Sequence, residues 1–396
     1  MKHRRSLLLS FTLLLQVLTP LFDAPDMFAC TAFLVKDGKH VLFGNNEDYL
    51  NPATIMWFMP KGGDAYGRVY FGYDDLSPQG GMNEAGLVMD GFATAQIPVK
   101  KRLNGITLSM PNLVNKAMAT CATVQEVIDL FNRYNMKELE NFMLMFGDRS
   151  GDAVIFEGDE IVQKSGPYQL VTNFHLSSDL KGENPVGPEK TWGADMRFKI
   201  ATGMLQDTRD FTVKRARDIL AAVYTDGPQY MTLYSNVYDL NTRRIYLYHL
   251  HDFQNAVVVD LARELAKGRH FVSLSSLFPR TYAFESYLRA KTEERQQRNA
   301  KRKIVQLDSQ QLSRYAGEYE SESILGRLTI SLEQNKLYGE ITGMGRFELI
   351  PSSETEFFNA RIVYDIDLAF RVHAASHIVE ARFKSGEQDV VFMRKQ

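Results

Sequence analysis

The chain contains little cysteine, and its cysteines and histidines do not follow any metal-binding spacing. Only Cys30 and Cys121 occur in 396 residues, and the eight histidines include no H-E-x-x-H pattern. No metal is therefore predicted, and the absence of a phosphate loop or dinucleotide fingerprint predicts no nucleotide cofactor either. A single Cys30–Cys121 disulfide stays open for an exported chain, although it would add little to a chain long enough to bury a large core.

An excess of positive charge is also missing. Lysine and arginine total 46 against 48 acidic residues, which gives a formal net charge of -2. Because nucleic-acid binding needs a basic patch, and the main body shows no sizeable one, we do not expect a nucleic-acid partner.

Long hydrophobic runs are absent apart from one near the start. A basic head at residues 2–5 precedes an apolar run from Leu7 to Leu18 and a polar stretch up to Ala29. This order is typical of a signal peptide, so residues 1–29 are predicted to direct export to the periplasm or the exterior. Met27 makes the cleavage site imperfect, and a retained anchor is the alternative. No other segment is apolar enough to span a membrane.

The length predicts two or three domains. A first half rich in strands, with helices between and after them, indicates an α+β domain at residues 30–288. Residues 289–303 are almost wholly charged or polar, and we expect a charged helical linker at 289–306. After an opening at 315–319, short alternating strands at 328–332, 336–341, 347–350, 357–358, 367–371 and 378–383, with turn residues between them, then predict a small antiparallel β-barrel at 307–396.

Local patterns place individual elements in the first domain. Two apolar runs around Asp37-Gly38 predict a hairpin that begins at Cys30. A capping box at Thr123–Glu126 predicts a helix at 124–134, with Cys121 buried at its entrance. The polar stretch from Ser177 to Trp192 predicts a long loop. Further strands and helices are predicted at 54–59, 68–73, 87–91, 142–146, 153–157, 168–172, 194–205, 213–224, 231–238 and 244–250.

Cys30 would carry two reactive groups if removal of the signal made it the first residue. Its thiolate is a nucleophile, and an α-amine with a pKa of about 7.7–8 can accept the thiol proton at neutral pH. A histidine base is not indicated, since His175, His249 and His251 lie in no known pairing motif.

Five motifs in order resemble the choloylglycine hydrolase and penicillin V acylase family and the related acyl-CoA:isopenicillin acyltransferase-like proteins. The resemblance covers Cys30 to Val258 and implies the four-layer αββα sandwich of N-terminal-nucleophile hydrolases. The motifs are Cys30-Thr31 with Gly44-Asn45-Asn46-Glu47-Asp48-Tyr49, then Gly81-Met82-Asn83-Glu84-Ala85-Gly86-Leu87, then Asp148-Arg149-Ser150-Gly151-Asp152 before Glu157, then Val171-Thr172-Asn173, and finally Met196-Arg197-Phe198.

The resemblance implies a role for four residues. Cys30 attacks an amide carbonyl, Asp48 orients the Cys30 amine, and Asn173 donates a hydrogen bond to the developing oxyanion. Arg197 stabilises the thiolate or contacts an acidic substrate group. Structural alternatives stay open: Asp48 and Asn46 could close a turn, Asn173 could form an Asx-turn, and Arg197 could be an ordinary charge on a helix face.

Other positions qualify the resemblance. Asn83 is expected to shape a turn and not to touch substrate. Asn45 stands where the family has an arginine, and Ala93 where bile-salt and penicillin acylases have a second asparagine. Both differences argue against bile salts and penicillin V as substrates, and they leave backbone N–H groups to support Asn173.

The predicted barrel resembles the small lipocalin-like barrel that follows some exported serine hydrolases of the β-lactamase type. The segment Tyr315-Ala316-Gly317-Glu318-Tyr319 carries this likeness, together with 347–351 and 356–358. No catalytic set occurs in this region.

The sequence therefore predicts an exported hydrolase of linear amides, which would cleave a small-molecule N-acyl compound through a thioester on Cys30. Acyl transfer to an amine uses the same residues and stays open, as does a homo-oligomeric state. A different class of protein is also open: Met27-Phe28-Ala29-Cys30 loosely resembles a lipoprotein signal, which would make the chain a lipid-anchored binding protein.

Overall fold

Two antiparallel sheets lie face to face in the first part of the chain. The structure is a computed structural model, and it describes residues 30–49, 51–73, 76–99, 106–135, 138–177, 193–207, 210–226, 231–321, 326–341, 345–359, 366–372, 378–385 and 388–395. The predicted signal peptide lies outside the described residues, as does the predicted loop from residue 178 onward.

The strands of this part are numbered along the chain. They are Thr31–Lys36 (β1), Val41–Tyr49 (β2), Thr54–Met59 (β3), Arg68–Tyr73 (β4), Pro78–Asn83 (β5), Val88–Ala93 (β6), Ile106–Thr107 (β7), Tyr134–Asn135 (β8), Phe142–Gly147 (β9), Ala153–Glu157 (β10), Glu160–Gln163 (β11), Tyr168–Val171 (β12), Met231–Asp239 (β13), Arg244–His249 (β14), Asp252–Asp260 (β15) and His270–Ser273 (β16). Sheet A has the order β12-β1-β2-β13-β14-β15, and sheet B has the order β11-β10-β9-β6-β5-β4-β3-β16. Strands β7 and β8 form a small parallel pair.

Helices cover the two outer faces. The α-helices of the described residues are Met110–Thr120 (α1), Val124–Phe131 (α2), Ala194–Gln206 (α3), Val213–Ala222 (α4), Leu261–Leu265 (α5), Tyr282–Ala300 (α6) and Ser309–Ser313 (α7), and short 3-10 helices occur at Glu138–Glu140 and Leu274–Leu277. Apolar side chains of α1 and α2 pack on sheet B, whereas those of α3 and α4 pack on sheet A. The layer order is thus αββα, which confirms the predicted fold class.

Strand alternation in β2 decides which layer each functional side chain enters. Leu42 packs against the helices on sheet A, whereas Phe43 packs between the sheets. Because successive strand residues point to opposite faces, Asn45 and Glu47 share the inner face with Phe43. Asp48 faces the helical layer, as Leu42 does.

Local predictions agree closely with this part of the structure. The capping box of Thr123 and Glu126 starts α2, but the helix ends at Phe131 because Tyr134 pairs with β7. Cys121 is buried between α1 and α2, and both cysteines are free thiols, so the disulfide alternative was wrong. The Asn83 side chain shapes a turn: it accepts from the Leu87 N–H and also donates to backbone carbonyls of α1 and its C-cap.

A closed antiparallel barrel ends the chain, as predicted. Its strands are Gly317–Glu320 (β17), Arg327–Glu333 (β18), Lys336–Ile341 (β19), Gly345–Pro351 (β20), Glu356–Phe358 (β21), Asp367–Val372 (β22), Ile378–Ser385 (β23) and Gln388–Arg394 (β24). Strand β24 is the one that no predicted segment covered. Apolar side chains such as Phe347 and Phe392 fill the interior.

The charged segment lies within α6, which begins at Tyr282. The expected boundary at residue 288 therefore falls inside a helix, and the division into domains stays a prediction. The far end of α6 contacts the barrel, since the Asn299 side chain donates to the Asn359 carbonyl at 3.4 Å and Arg302 pairs with Asp367. None of the described helices has the length and apolar character needed to cross a membrane.

Candidate active site

Cys30 immediately precedes β1, which lies between β12 and β2 in sheet A. The register pairs Thr31 with Asn46 and Ala32 with Val171, so the same pattern continued by one or two residues sets Cys30 beside Glu47 and beside Asn173. Cys30 is 1% exposed, and its thiol donates to the Asp48 carbonyl at 4.0 Å. The sheet therefore brings Cys30, Asp48 and Asn173 together at the amino-terminal end of β1, with Asp48 on the β2 side and Asn173 on the β12 side.

Arg197 connects these residues from the helical layer. It lies in the first turns of α3, and its Nη1 donates to the Cys30 carbonyl and to the Thr31 hydroxyl, both at 2.6 Å. Its Nη2 donates to Asn173 Oδ1 at 3.1 Å. Arg197 is buried and bridges β1 to the segment after β12, so the interpretation as an ordinary charge on a helix face was wrong.

Asp48 lies inside β2 and not in a turn, so the turn-forming alternative was wrong. Two threonine hydroxyls donate to its carboxylate, from Thr225 at 2.6 Å and from Thr232 at 2.5 Å. Burial raises the pKa of Asp48 to about 6, although the charge of Arg197 and both hydroxyls oppose the rise. The carboxylate is thus held by Thr225 and Thr232 with a raised pKa, and its charge acts on the Cys30 thiol.

Asn173 follows β12 and is fully buried. Its Nδ2 donates to the Ala93 carbonyl at 2.9 Å while its Oδ1 accepts from Arg197, so its side chain bonds to distant segments instead of closing an Asx-turn. Glu157 accepts from the N–H groups of Leu176 and Ser177, which anchors the chain that follows Asn173.

Two carboxyl groups near the thiol were not predicted. Glu47 of β2 and Asp90 of β6 are fully buried, and both lie on the faces that sheets A and B turn towards each other. The Tyr73 hydroxyl donates to Glu47 Oε1 at 2.8 Å. The signal that could have identified Glu47 is its place in β2, because alternation puts it on the inner face that Phe43 also occupies.

The electrostatics of this layer disfavour charge. Burial raises the pKa of Glu47 to about 8, and repulsion from Asp48 adds to the rise, which Tyr73 and the nearby Asn45 and Cys30 oppose. Burial, with repulsion from Glu47, also raises the pKa of Asp90 well above its usual range. The pKa of the Cys30 thiol is raised mainly by burial and then by Glu47, Asp48 and Asp90. Forming the thiolate therefore requires a base close to the sulfur.

Among the described residues, no histidine is a hydrogen-bond partner of the Cys30 thiol or one of the groups that shift its pKa. His249 belongs to β14, three strands from β1 in sheet A, which is about 14 Å at the usual strand spacing. Burial lowers the pKa of His249 to about 4. His175 lies within hydrogen-bond distance of the Thr94 hydroxyl and the Ala95 carbonyl. Within the described part of the chain, no three His, Cys, Asp or Glu side chains are grouped so as to hold a metal ion.

Comparisons with known proteins agree with the fold. A variant of conjugated bile acid hydrolase from Clostridium perfringens aligns with a TM-score of 0.52 and 14% identity over 64% of this chain and 99% of that one. A second mutant of that hydrolase gives 0.50 and 16% over 64% and 97%. Penicillin V acylase from Agrobacterium tumefaciens gives 0.49 and 19% over 62% and 92%.

Comparisons at the level of sequence are sparser. Residues 301–394 match the model of a domain of unknown function, DUF3471. This range contains the barrel strands and the short segment that precedes them. No curated protein matches the chain. At these identities the structural likeness shows a shared fold.

Proposed function

We propose that the mature chain is an exported cysteine amidohydrolase that cleaves the linear amide bond of an N-acyl compound through a thioester on Cys30. The observation that carries the proposal is the bridge made by Arg197, which holds the carbonyl of the nucleophile and the amide oxygen of Asn173. The conjugated bile acid hydrolase that shares the fold is a hydrolase, which supports the reaction class.

The first half of the reaction forms the thioester. Export would remove residues 1–29 and turn the Cys30 nitrogen into a free amine, which takes the thiol proton that the buried site otherwise retains. The thiolate attacks the amide carbonyl and forms the S–C bond. The ammonium then returns its proton to the leaving nitrogen as the C–N bond breaks. We assign Asp48 to orient this amine, because its backbone carbonyl accepts from the Cys30 thiol and its carboxylate is held by two threonine hydroxyls.

The oxyanion needs a donor in both halves of the reaction. An asparagine amide carries two N–H bonds, and one of those of Asn173 already binds the Ala93 carbonyl. We assign the other to the oxyanion, with a backbone N–H beside it. Loss of one such donor typically lowers kcat by about 100-fold to 1,000-fold. Water then attacks the thioester, gives its proton to the amine, and releases the acid as the thiol is restored.

Arg197 acts in this scheme as a positioning residue. Its guanidinium binds the Cys30 carbonyl on the helical side of sheet A, so it holds the nucleophile and Asn173 in fixed relation. Its positive charge also favours the charged forms of Asp48 and Cys30.

The experiment combines an intact mass with a cysteine substitution. The exported protein should have the mass of a chain that starts at Cys30 with an unmodified amine. Cys30→Ser should reduce hydrolysis of acyl p-nitroanilides at least about 100-fold. The matched control is Cys121→Ser, which removes the other buried thiol and should retain activity. Full activity of Cys30→Ser, a lipid on Cys30, or a start at another residue would refute the mechanism.

A further inference from the structure

Several buried polar atoms between the two sheets have no hydrogen-bond partner within the described part of the chain. They belong to side chains that are at most 1% exposed: Asn45 Oδ1 and Nδ2, Glu47 Oε2, Asp90 Oδ2, Tyr234 Oη and Asn236 Oδ1. A buried polar group without a partner typically costs about 1–3 kcal/mol, and native proteins hold few of them. Their concentration in one layer indicates a binding site, in which a polar ligand would supply the missing hydrogen-bond partners.

These atoms lie next to the nucleophile. Glu47 is the cross-strand neighbour of Cys30 by extension of the register, and it pairs with Tyr234 on its other side. Asn45 pairs with Asn236 one step along on the same face. Asp90 comes from the facing sheet, and its charge acts on Glu47, Tyr234 and Cys30. We refer to Asn45, Glu47, Asp90, Tyr234 and Asn236 as the acceptor wall.

The charge of the acceptor wall is not balanced by its surroundings. The carboxyl groups of Glu47 and Asp90 repel each other, and the groups that favour their charged forms are Tyr73, Asn45 and Cys30 for Glu47 and the Gly91 N–H for Asp90, none of which is a cation. Arg197 is engaged by Cys30, Thr31 and Asn173, and its charge acts on Asp48 and Cys30. Two buried carboxyls with no cationic partner among the described residues can be neutralised by protonation or by a positive ligand.

We propose that the acceptor wall binds a protonated primary amine on the acyl group of the substrate, one or two carbons from the scissile carbonyl. An ammonium group offers three donors and one positive charge, which suits two carboxylates and an amide oxygen. Cross-strand neighbours have their Cβ atoms about 4.5–5.5 Å apart, so an amine at Glu47 lies close to a carbonyl carbon at Cys30. This inference rests on the proposed function, and it names α- and β-aminoacyl amides as the substrate class.

Two further observations agree with this assignment. Gly80 lies opposite Asp90, and a Cβ at that position would come within 3.1 Å of Asp90 Oδ2, so the glycine leaves room for the carboxylate. The raised pKa values of Glu47 and Asp90 mean that a bound ammonium would convert carboxyls into carboxylates. Binding should therefore release protons near neutral pH.

The test measures binding without requiring turnover. Isothermal titration calorimetry of the mature Cys30→Ala variant at pH 6.5 compares glycinamide with propionamide, in which a methyl group replaces the amine, and β-alaninamide with butanamide. At least one amine should bind about tenfold or more tightly than its neutral partner, with proton release detected from buffers of different ionisation enthalpy. Equal affinity within both pairs, or no detectable binding of either amine, would overturn the proposal.

Variants locate the binding. Glu47→Gln and Asp90→Asn, each added to the Cys30→Ala protein, should remove the preference for the amine, whereas Glu160→Gln on the exposed edge strand β11 should keep it. A preference that survives both wall variants would place the amine elsewhere and refute the site.

A kinetic comparison separates this inference from the proposed function. Wild-type protein should hydrolyse glycyl-p-nitroanilide, or its β-alanyl homologue, with a higher kcat/KM than the matching neutral acyl compound. Hydrolysis that depends on Cys30 but favours the neutral compounds would refute the amine site and leave the amidase standing. Binding of an amine without hydrolysis of any amide would support the site and count against the amidase.

Discussion

Replacing Glu47 with glutamine tests whether the folded protein favours the protonated form of this buried carboxyl group. The pKa of Glu47 is raised from 4.5 to about 8, mainly by burial, so the folded state favours the protonated form. That preference contributes to stability in full below pH 4.5 and is lost as the pH rises through about 8. The difference between the two pKa values corresponds to roughly 5 kcal/mol, of which roughly 3 kcal/mol is lost by pH 7.

Glutamine does not titrate, and its amide oxygen can still accept the Tyr73 hydroxyl. The free energy of unfolding of Glu47→Gln minus that of wild type should therefore increase with pH, by roughly 5 kcal/mol between pH 4.5 and pH 9. Using this difference cancels the titration of shared groups that do not interact with Glu47, whereas Asp90, whose pKa Glu47 raises, titrates differently in the two proteins. The sign is opposite to that of a carboxylate in a salt bridge, whose removal destabilises a protein at high pH.

Urea unfolding followed by tryptophan fluorescence measures this quantity. The two tryptophans, Trp57 and Trp192, both precede the barrel in the sequence, and Trp57 is buried in sheet B, so the barrel contributes no signal. Glu160→Gln, at an exposed position of β11, is the control and should follow wild type at every pH. A Glu47→Gln curve that runs parallel to wild type from pH 5 to pH 9 would refute the reasoning, because it would mean that Glu47 carries its charge in the folded protein.

Two further substitutions probe the residues around Cys30. Asp48→Asn should lower kcat at least about 100-fold with little change in Tm at pH 8. The reason is that the folded protein raises the pKa of Asp48 to about 6, so its negative charge does not stabilise the fold at pH 8. A large loss of Tm with kcat preserved would contradict this prediction. Arg197→Lys keeps the charge but cannot make the forked contacts with the Cys30 carbonyl and Asn173. It should lower kcat about tenfold or more while KM changes little. If the Arg197→Lys protein has the same kinetics as wild type, the two guanidinium contacts are not needed for turnover.

The elements of the sandwich were predictable because each depends on neighbours in the sequence. Strands β3, β4 and β10 match their predicted bounds, since apolar runs limited by turn residues specify them locally. The capping box at Thr123 starts α2 for the same reason. The helix end at Phe131 was missed because Tyr134 is taken up by β8, whose partner β7 lies 28 residues earlier. A pairing over that distance leaves little local signal.

The candidate site divides in the same way. Cys30, Asp48, Asn173 and Arg197 could be named from short motifs, because each motif is a few residues long and keeps its order along the chain. What Arg197 does could not be read from its motif, since its partners Cys30 and Asn173 are 167 and 24 residues away in the sequence. Only the docking of α3 on sheet A defines its contacts with the Cys30 carbonyl and Asn173.

The sequence by itself determined the identity of the candidate nucleophile, the alternation of β2 and the strands of the barrel other than β24, because these follow from local chemistry and periodicity. The tertiary structure decided which buried groups face one another across the two sheets. Glu47 and Asp90 are 43 residues apart in the chain and belong to different sheets, yet each changes the proton affinity of the other. Stacking of the two sheets brings these carboxyl groups together in a layer shielded from water. This desolvation, which no linear pattern encodes, raises their pKa values.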